Sequence, residues 1–194
     1  MCGIIISKMN YFDRARYFRT KKRLGQNFLV DGEVIQDIID FAQITPDDTV
    51  LEIGPGVGFV TEQLVKHSKK VIAIELDEEA IAELKKLEAP NLEIIHNDVL
   101  KTDLSNLTNE KFKVVANIPY YITSPIIAHL LGEIDDLANK NRSQIKDIIL
   151  MVQEEVARRM VATPDSPSKQ YGLLTQMLRF FVLLAENVFI LHQK

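Results

Sequence analysis

An Asn-x-Pro-aromatic tetrad, Asn117-Ile118-Pro119-Tyr120, follows an apolar run at residues 112–116 that reads as a buried strand. Upstream, after another strand-like run, lies Glu52-Ile53-Gly54-Pro55-Gly56-Val57-Gly58. The exocyclic amine of a nucleobase is a poor nucleophile, because its lone pair is delocalised into the ring. Two acceptors held against its hydrogens draw electron density onto nitrogen and favour a tetrahedral geometry. The Asn117 side-chain carbonyl and the Ile118 backbone carbonyl are suited to that task. Pro119 restricts the residue before it and so aims the Ile118 carbonyl. Tyr120 offers a face on which an extruded base can stack. Placement then supplies most of the rate, and no separate general base is demanded. Together the two motifs point to methylation of an amino nitrogen on a base.

Gly54, Gly56 and Gly58 have no β-carbon, so the chain can turn sharply and a ligand can approach its backbone. A nicotinamide or flavin turn needs Gly-x-Gly-x-x-Gly/Ala, and the sixth position here is Phe59. A ring there argues against a pyrophosphate on the helix start. A phosphate-free nucleoside cofactor, S-adenosylmethionine, suits the turn better; a purely structural Gly-rich turn is the alternative. Glu75 follows about twenty residues later, where a carboxylate can accept both hydroxyls of a ribose. Asp98 can accept from an adenine amine, and the amide of Val99 can meet a ring nitrogen; a turn or cap is the plainer role for Asp98. Asp77 reads as a helix cap. Glu52 is placed to anchor the amides of the turn or, through water, an ammonium group.

These residues need a scaffold, and the periodicity supplies one. Residues 31–44 carry apolar side chains at Val34, Ile35, Ile38, Ile39 and Ala42, the spacing of one helix face. A strand at 49–53, a helix at 59–66 and a strand at 71–76 follow. A helix with Ile81, Leu84 and Leu87 as its stripe leads to strands at 92–95 and 112–116. Ser124-Pro125 marks a helix start with Pro at the first helical position. Residues 132–144 read as a polar loop, 148–152 as a strand and 154–161 as a helix. A Pro/Ser-rich loop at 163–170, a helix at 171–181 and a strand at 188–191 close the pattern. Alternating strands and helices build an α/β fold with a mostly parallel sheet and helices on both faces. Such sheets bind ligands at the carboxyl ends of their strands, where Gly54, Glu75, Asp98 and Asn117 all fall.

With 194 residues, 46% of them apolar, one globular domain is expected. No apolar run approaches the roughly 20 residues of a membrane span, and the first residues do not make a secretory signal. Cys2 is the only cysteine, which excludes an internal disulfide and fits a reducing, cytoplasmic compartment. His67, His96, His129 and His192 are scattered without metal-ligand spacing, so they read as surface or core filler and no metal is expected. The net charge of −4 is unevenly spread. The first 24 residues hold seven basic side chains and one acid, a net +6, which leaves −10 on the rest. Tyr11, Phe12, Tyr17 and Phe18 are interleaved with those bases. Such an arm can grip phosphates and stack on bases; a solvated, partly disordered tail is the alternative. Residues 1–22 are therefore read as a basic arm and 23–194 as the cofactor-binding domain.

The segment Lys22-Arg23-Leu24-Gly25-Gln26-Asn27-Phe28-Leu29 resembles the opening motif of the KsgA/RsmA rRNA adenine dimethyltransferases. The glycine turn, Glu75-Leu76-Asp77, Asn97-Asp98, the tetrad with Ser124-Pro125, Val152-Gln153-Glu154-Glu155-Val156-Ala157 and Tyr171-Gly172 occur in that family's order. The resemblance covers residues 16–176. It implies a Rossmann-like class I methyltransferase fold and dimethylation of two adjacent adenosines near the 3′ end of small-subunit rRNA. It further implies S-adenosylmethionine as donor, the immature small ribosomal subunit as partner, no membrane, a role in ribosome biogenesis and a monomeric enzyme. The cofactor contacts would map to Asn27, Leu29, Gly54, Glu75, Asp98 and Asn117, with Gly56 and Val99 beside them. The related Erm enzymes, which modify large-subunit rRNA, are one alternative. A non-catalytic ribosome-assembly factor or a transcription-associated binding protein on the same scaffold is another. Family members continue with a Phe-x-Pro-x-Pro segment, a final strand and a small helical domain, none of which precedes Lys194 here. By the resemblance the final strand and helical domain are thus expected to be missing. Residues 1–15 also differ from the family's usual start.

Overall fold

Side-chain alternation along the strands decides the architecture. In β1 (Thr49–Ile53), Leu51 and Ile53 point to one face of the sheet and Val50 to the other. The same split recurs in β2 (Lys70–Glu75) and β4 (Phe112–Asn117). In β5 (Ile145–Gln153), Ile148, Leu150 and Val152 join one core and Ile149 and Met151 the second. Strands apolar on both faces must be covered on both, and they are. One face packs against α4 (Thr123–Leu131) and α6 (Glu154–Met160), the other against α1 (Gly32–Ala42) and α2 (Phe59–His67). The remaining elements are α3 (Glu78–Lys85), β3 (Leu92–His96), α5 (Lys140–Gln144) and β6 (Asn187–Gln193). This computed structural model describes Tyr11, Ala15, Phe18 and residues 29–118, 122–132, 139–165 and 187–193, the last as backbone.

The six strands run in the order β3-β2-β1-β4-β5-β6, and every neighbouring pair is parallel. The order reverses between β1 and β4, and the crevice outside the carboxyl ends of those two strands is where such a sheet takes a ligand. The expected α/β fold is therefore present. Three local expectations change. Pro125 is the third residue of α4 rather than its first, still within the turn that has no use for its missing N–H. The polar stretch read as a loop contains α5, capped by the Asn139 side chain, which accepts from Arg142 N at 3.1 Å. Leu87 lies beyond α3, whose buried stripe is Ala80, Ile81 and Leu84. The helix expected at 171–181 lies outside the described residues. No described helix is long and apolar enough to cross a membrane.

At the amino edge of the sheet, Lys113 of β4 is buried. Its Nζ donates to the carbonyls of Ala42 at 2.9 Å and Gln43 at 2.8 Å, which end α1. Asp48 Oδ2 lies 3.1 Å and Asp147 Oδ2 3.8 Å away. Burial alone would raise the Asp48 pKa, but hydrogen bonds from Thr45 and the Lys113 ammonium lower it to about 2. Breaking such a group by removing one partner leaves a buried charge uncompensated. Lys113→Met is expected to cost about 3 kcal/mol or more, read from urea unfolding.

Candidate functional site

Strand register brings the predicted residues together. Ile53 of β1 stands between Ile74 of β2 and Ala116 of β4. The next residue on each strand is Gly54, Glu75 and Asn117, so these three reach the carboxyl edge side by side, Gly54 in the middle. Glu75 is paired in turn with His96, two residues before Asp98. The sheet thus gathers Gly54, Glu75, Asp98 and Asn117 on one rim.

Gly54 adopts φ +66°, a left-handed conformation that glycine takes without penalty, and a β-carbon there would meet nothing within 4 Å. That open space is where a ligand can lie on the backbone. Gly58 faces inward instead: a β-carbon would come within 2.8 Å of Leu84 Cδ2. The turn therefore has an open side and a packed side. Phe59, the first residue of α2, turns its ring into the core, 5.0 Å from the ring of Tyr11. Its bulk does not occupy the crevice, so the steric objection to a pyrophosphate is withdrawn. Electrostatics replaces it. The rim carries the carboxylates of Glu75, Asp77 and Asp98, with Lys101 3.9 Å from Asp98 Oδ2. An acidic rim repels a pyrophosphate and favours a cationic cofactor.

Glu75 does more than the sequence indicated. Its Oε2 accepts from Gly56 N at 2.9 Å, and its Oε1 accepts from Leu76 N at 2.7 Å and Asp77 N at 2.9 Å. The side chain clamps the glycine turn to the end of β2. A carboxylate has about four acceptor positions, so Oε2 keeps capacity for a ligand hydroxyl. The turn's anchor is thus Glu75 and not Glu52, to which the sequence reading also gave that role. Asp77 caps α3 by accepting from Glu79 N at 3.1 Å, as expected. Asp98 accepts from Leu100 N at 3.0 Å and caps the short 3-10 turn Val99–Lys101. The Val99 side chain is buried in the core.

Glu52 is 3% exposed beneath the turn and faces the buried Thr61 hydroxyl, with which it makes no well-formed hydrogen bond. Burial, opposed by the Thr61 hydroxyl and reinforced by the Glu75 carboxylate, pushes its pKa up to about 8. The unfolded chain releases this proton near pH 4.5, the folded chain only near pH 8. Glu52 thus costs nothing below about pH 4.5 and destabilises progressively up to about pH 8. Accordingly Glu52→Gln should melt with wild type at about pH 4 and above it at about pH 8, by scanning calorimetry.

Asn117 ends β4, and Ile118 is held twice: its N–H donates to Met151 O at 3.2 Å, and its side chain is buried in the core. The Ile118 backbone is therefore a rigid mount. Pro119, Tyr120 and Asn27 lie outside the described residues. The Leu29 side chain is packed in the core on the α1 face. Tyr11 and Phe18, read as stacking surfaces for bases, pack against that same core, and Tyr11 Oη accepts from Gln63 Nε2 at 2.7 Å. Phe12 and Tyr17 are not described. Sequence reasoning passed over Leu76, which stands 51% exposed on the rim between two acids. A large apolar residue exposed at a strand end was the available signal, since it offers a wall to a flat ring.

A doubly wound parallel sheet with a glycine turn, an acid on the next strand and the Asn117 mount across the switch point is a Rossmann-like methyltransferase fold. Residues 17–186 match the family "Ribosomal RNA adenine dimethylase". The chain belongs to that family. It is 45% identical over 170 residues to the Ribosomal RNA small subunit methyltransferase A of Clostridium acetobutylicum, covering 84% of this chain and 57% of that relative. The protein of the same name from Alkaliphilus metalliredigens is 43% identical, with 84% and 56% covered. The chain thus spans less than three-fifths of the length of these curated relatives. Among solved structures, a dimethyladenosine transferase from Plasmodium falciparum superposes with TM-score 0.64 at 35% identity, covering 79% of this chain and 52% of that one. The 23S rRNA methyltransferase ErmE superposes with TM-score 0.59 at 33% identity, with 69% and 50% covered.

Proposed function

We propose that this chain binds S-adenosylmethionine and dimethylates the exocyclic amines of two adjacent adenosines near the 3′ end of small-subunit rRNA. The juxtaposition of Gly54, Glu75 and Asn117 on adjacent strand ends is the observation that carries this reading. When bound, the cofactor supplies an electrophilic methyl group on a sulfonium. Gly54 leaves room for it, and the rim carboxylates favour its positive charge. Glu75 offers its remaining lone pairs to the ribose, Leu76 an apolar wall to the adenine, and Asp98 with the Val99 amide the polar edge. Asn27, Gly56 and the Leu29 main chain complete the cofactor contacts. The Asn117 amide oxygen and the Ile118 carbonyl accept the hydrogens of the target amine and hold its lone pair toward the methyl group. Pro119 orients Ile118, and Tyr120 stacks on the base. No metal takes part.

Similarity to small-subunit enzymes at about 45% identity supports the small-subunit substrate over the large-subunit one. The partner is then the immature small ribosomal subunit in the cytoplasm, met by a monomer whose basic arm, residues 1–22, adds phosphate contacts. The test is incubation with immature small subunits and cofactor carrying a labelled methyl group, followed by nucleoside analysis. Dimethyladenosine in small-subunit rRNA is the expected product. Cofactor binding without transfer would leave a binding factor, and no cofactor binding would sink the site assignment.

A further inference from the structure

Away from the rim lies a hydrogen-bonded group of Thr102, His129 and Asn141. It joins the Asp98 loop to α4, the helix that begins just past the tetrad. His129, in the last turn of α4, contacts Thr102 O through Nε2 at 2.9 Å. A carbonyl only accepts, so Nε2 carries the hydrogen. Thr102 is buried, and its Oγ1 donates to Asp98 O at 2.9 Å. A second leg runs beside the first. Asn141, in α5, donates from Nδ2 to His129 O at 2.9 Å and accepts from Ser105 N through Oδ1 at 3.1 Å. The loop from Asp98 to Ser105 is thus tied to α4 at two points by directional bonds between partly or wholly buried groups.

Packing alone does not make such a tie necessary. Ile126, Ile127, Leu130 and Leu131 already bury α4 in the core. Apolar contacts hold a helix against a sheet but constrain its axial position weakly, whereas hydrogen bonds fix position to a few tenths of an ångström.

We propose that His129 and Thr102 are positioning residues, forming a strap that holds the Asp98 loop in its cofactor-binding geometry and couples it to α4, the helix that follows the Asn117–Tyr120 tetrad in the chain. This rests on the cofactor reading above. Without the strap the loop must be ordered when the cofactor binds, and that entropy is subtracted from affinity.

Calorimetric titration of S-adenosylmethionine into the 194-residue chain tests it. His129→Ala and Thr102→Val should each raise Kd about fivefold to tenfold, the worth of one lost hydrogen bond. Thr102→Ser keeps the hydroxyl and should bind as wild type. The double variant H129A/T102V should be no weaker than the worse single one, because both cut the same strap. Lys113→Met, which destabilises the opposite edge of the sheet, should leave Kd within twofold and so separates positioning from loss of stability. The strap is refuted if H129A and T102V bind within twofold of wild type, or if K113M weakens binding as much as they do. Failure of the wild-type chain to bind would instead overturn the cofactor reading on which the strap depends.

Discussion

Replacing Asn117 with alanine is expected to lower methyl transfer by about a thousandfold while leaving the cofactor Kd within about tenfold, roughly 1.4 kcal/mol. The separation follows from the role proposed for Asn117. On the proposed function its acceptor serves the target amine as that nitrogen rehybridises, so its removal would act on the transition state. Glu75, Gly54 and the Asp98 loop would still hold the cofactor. Asn117 also ends a strand fixed on both sides, by Ile53 of β1 and Met151 of β5, so the substitution should not disturb the sheet. Single-turnover transfer to small-subunit rRNA gives the first number and calorimetry the second. A loss of cofactor affinity as large as the loss of transfer would make Asn117 chiefly a cofactor ligand.

Glu75→Ala should be the most damaging single change at the rim. Three backbone amides, those of Gly56, Leu76 and Asp77, lose their acceptor at once. An unsatisfied buried amide costs about 1–3 kcal/mol, so with Leu76 N, partly buried, at the low end a total of about 3–7 kcal/mol is expected. For a domain of this size that lowers Tm by about 10 °C or more. Cofactor affinity should fall more than about a hundredfold, because the glycine turn loses its clamp along with the proposed ribose acceptor. Glu75→Gln does not rescue it: one acceptor becomes an NH2 group facing N–H donors. A melting temperature unchanged in E75A would contradict the clamp, and an unchanged Kd would contradict the ribose contact. The two readouts therefore test the two roles of one side chain separately.

Much of the fold was legible because it is written in local patterns. Short continuous apolar runs mark strands buried on both faces and a 3.6-residue stripe marks a helix, and Gly54, Glu75, Asp98 and Asn117 each end or follow a strand, so their shared edge could be inferred from the alternation of strands and helices. What failed was local structure with a polar signature. α5 is five residues long and polar, and Asn139 rather than an apolar stripe starts it. β5 runs from Ile145, three residues earlier than its apolar run, and its Asp147 is buried beside Lys113. A charge in a strand looks like an edge until its partner is known.

The sequence alone settled which residue types stand at the ends of which strands, since covalent order and hydrophobic period are properties of the chain. It also carried the ordered motifs that mark the family. Three matters waited for the folded chain. The Glu75 carboxylate is committed to three amides. The Phe59 ring points into the core and not into the crevice. Glu52 is buried, with its pKa pushed up to about 8. Each depends on direction and on what lies across a gap of several ångströms. Hydrogen bonds, ring orientation and desolvation are set by neighbours distant in sequence, and no local pattern encodes them.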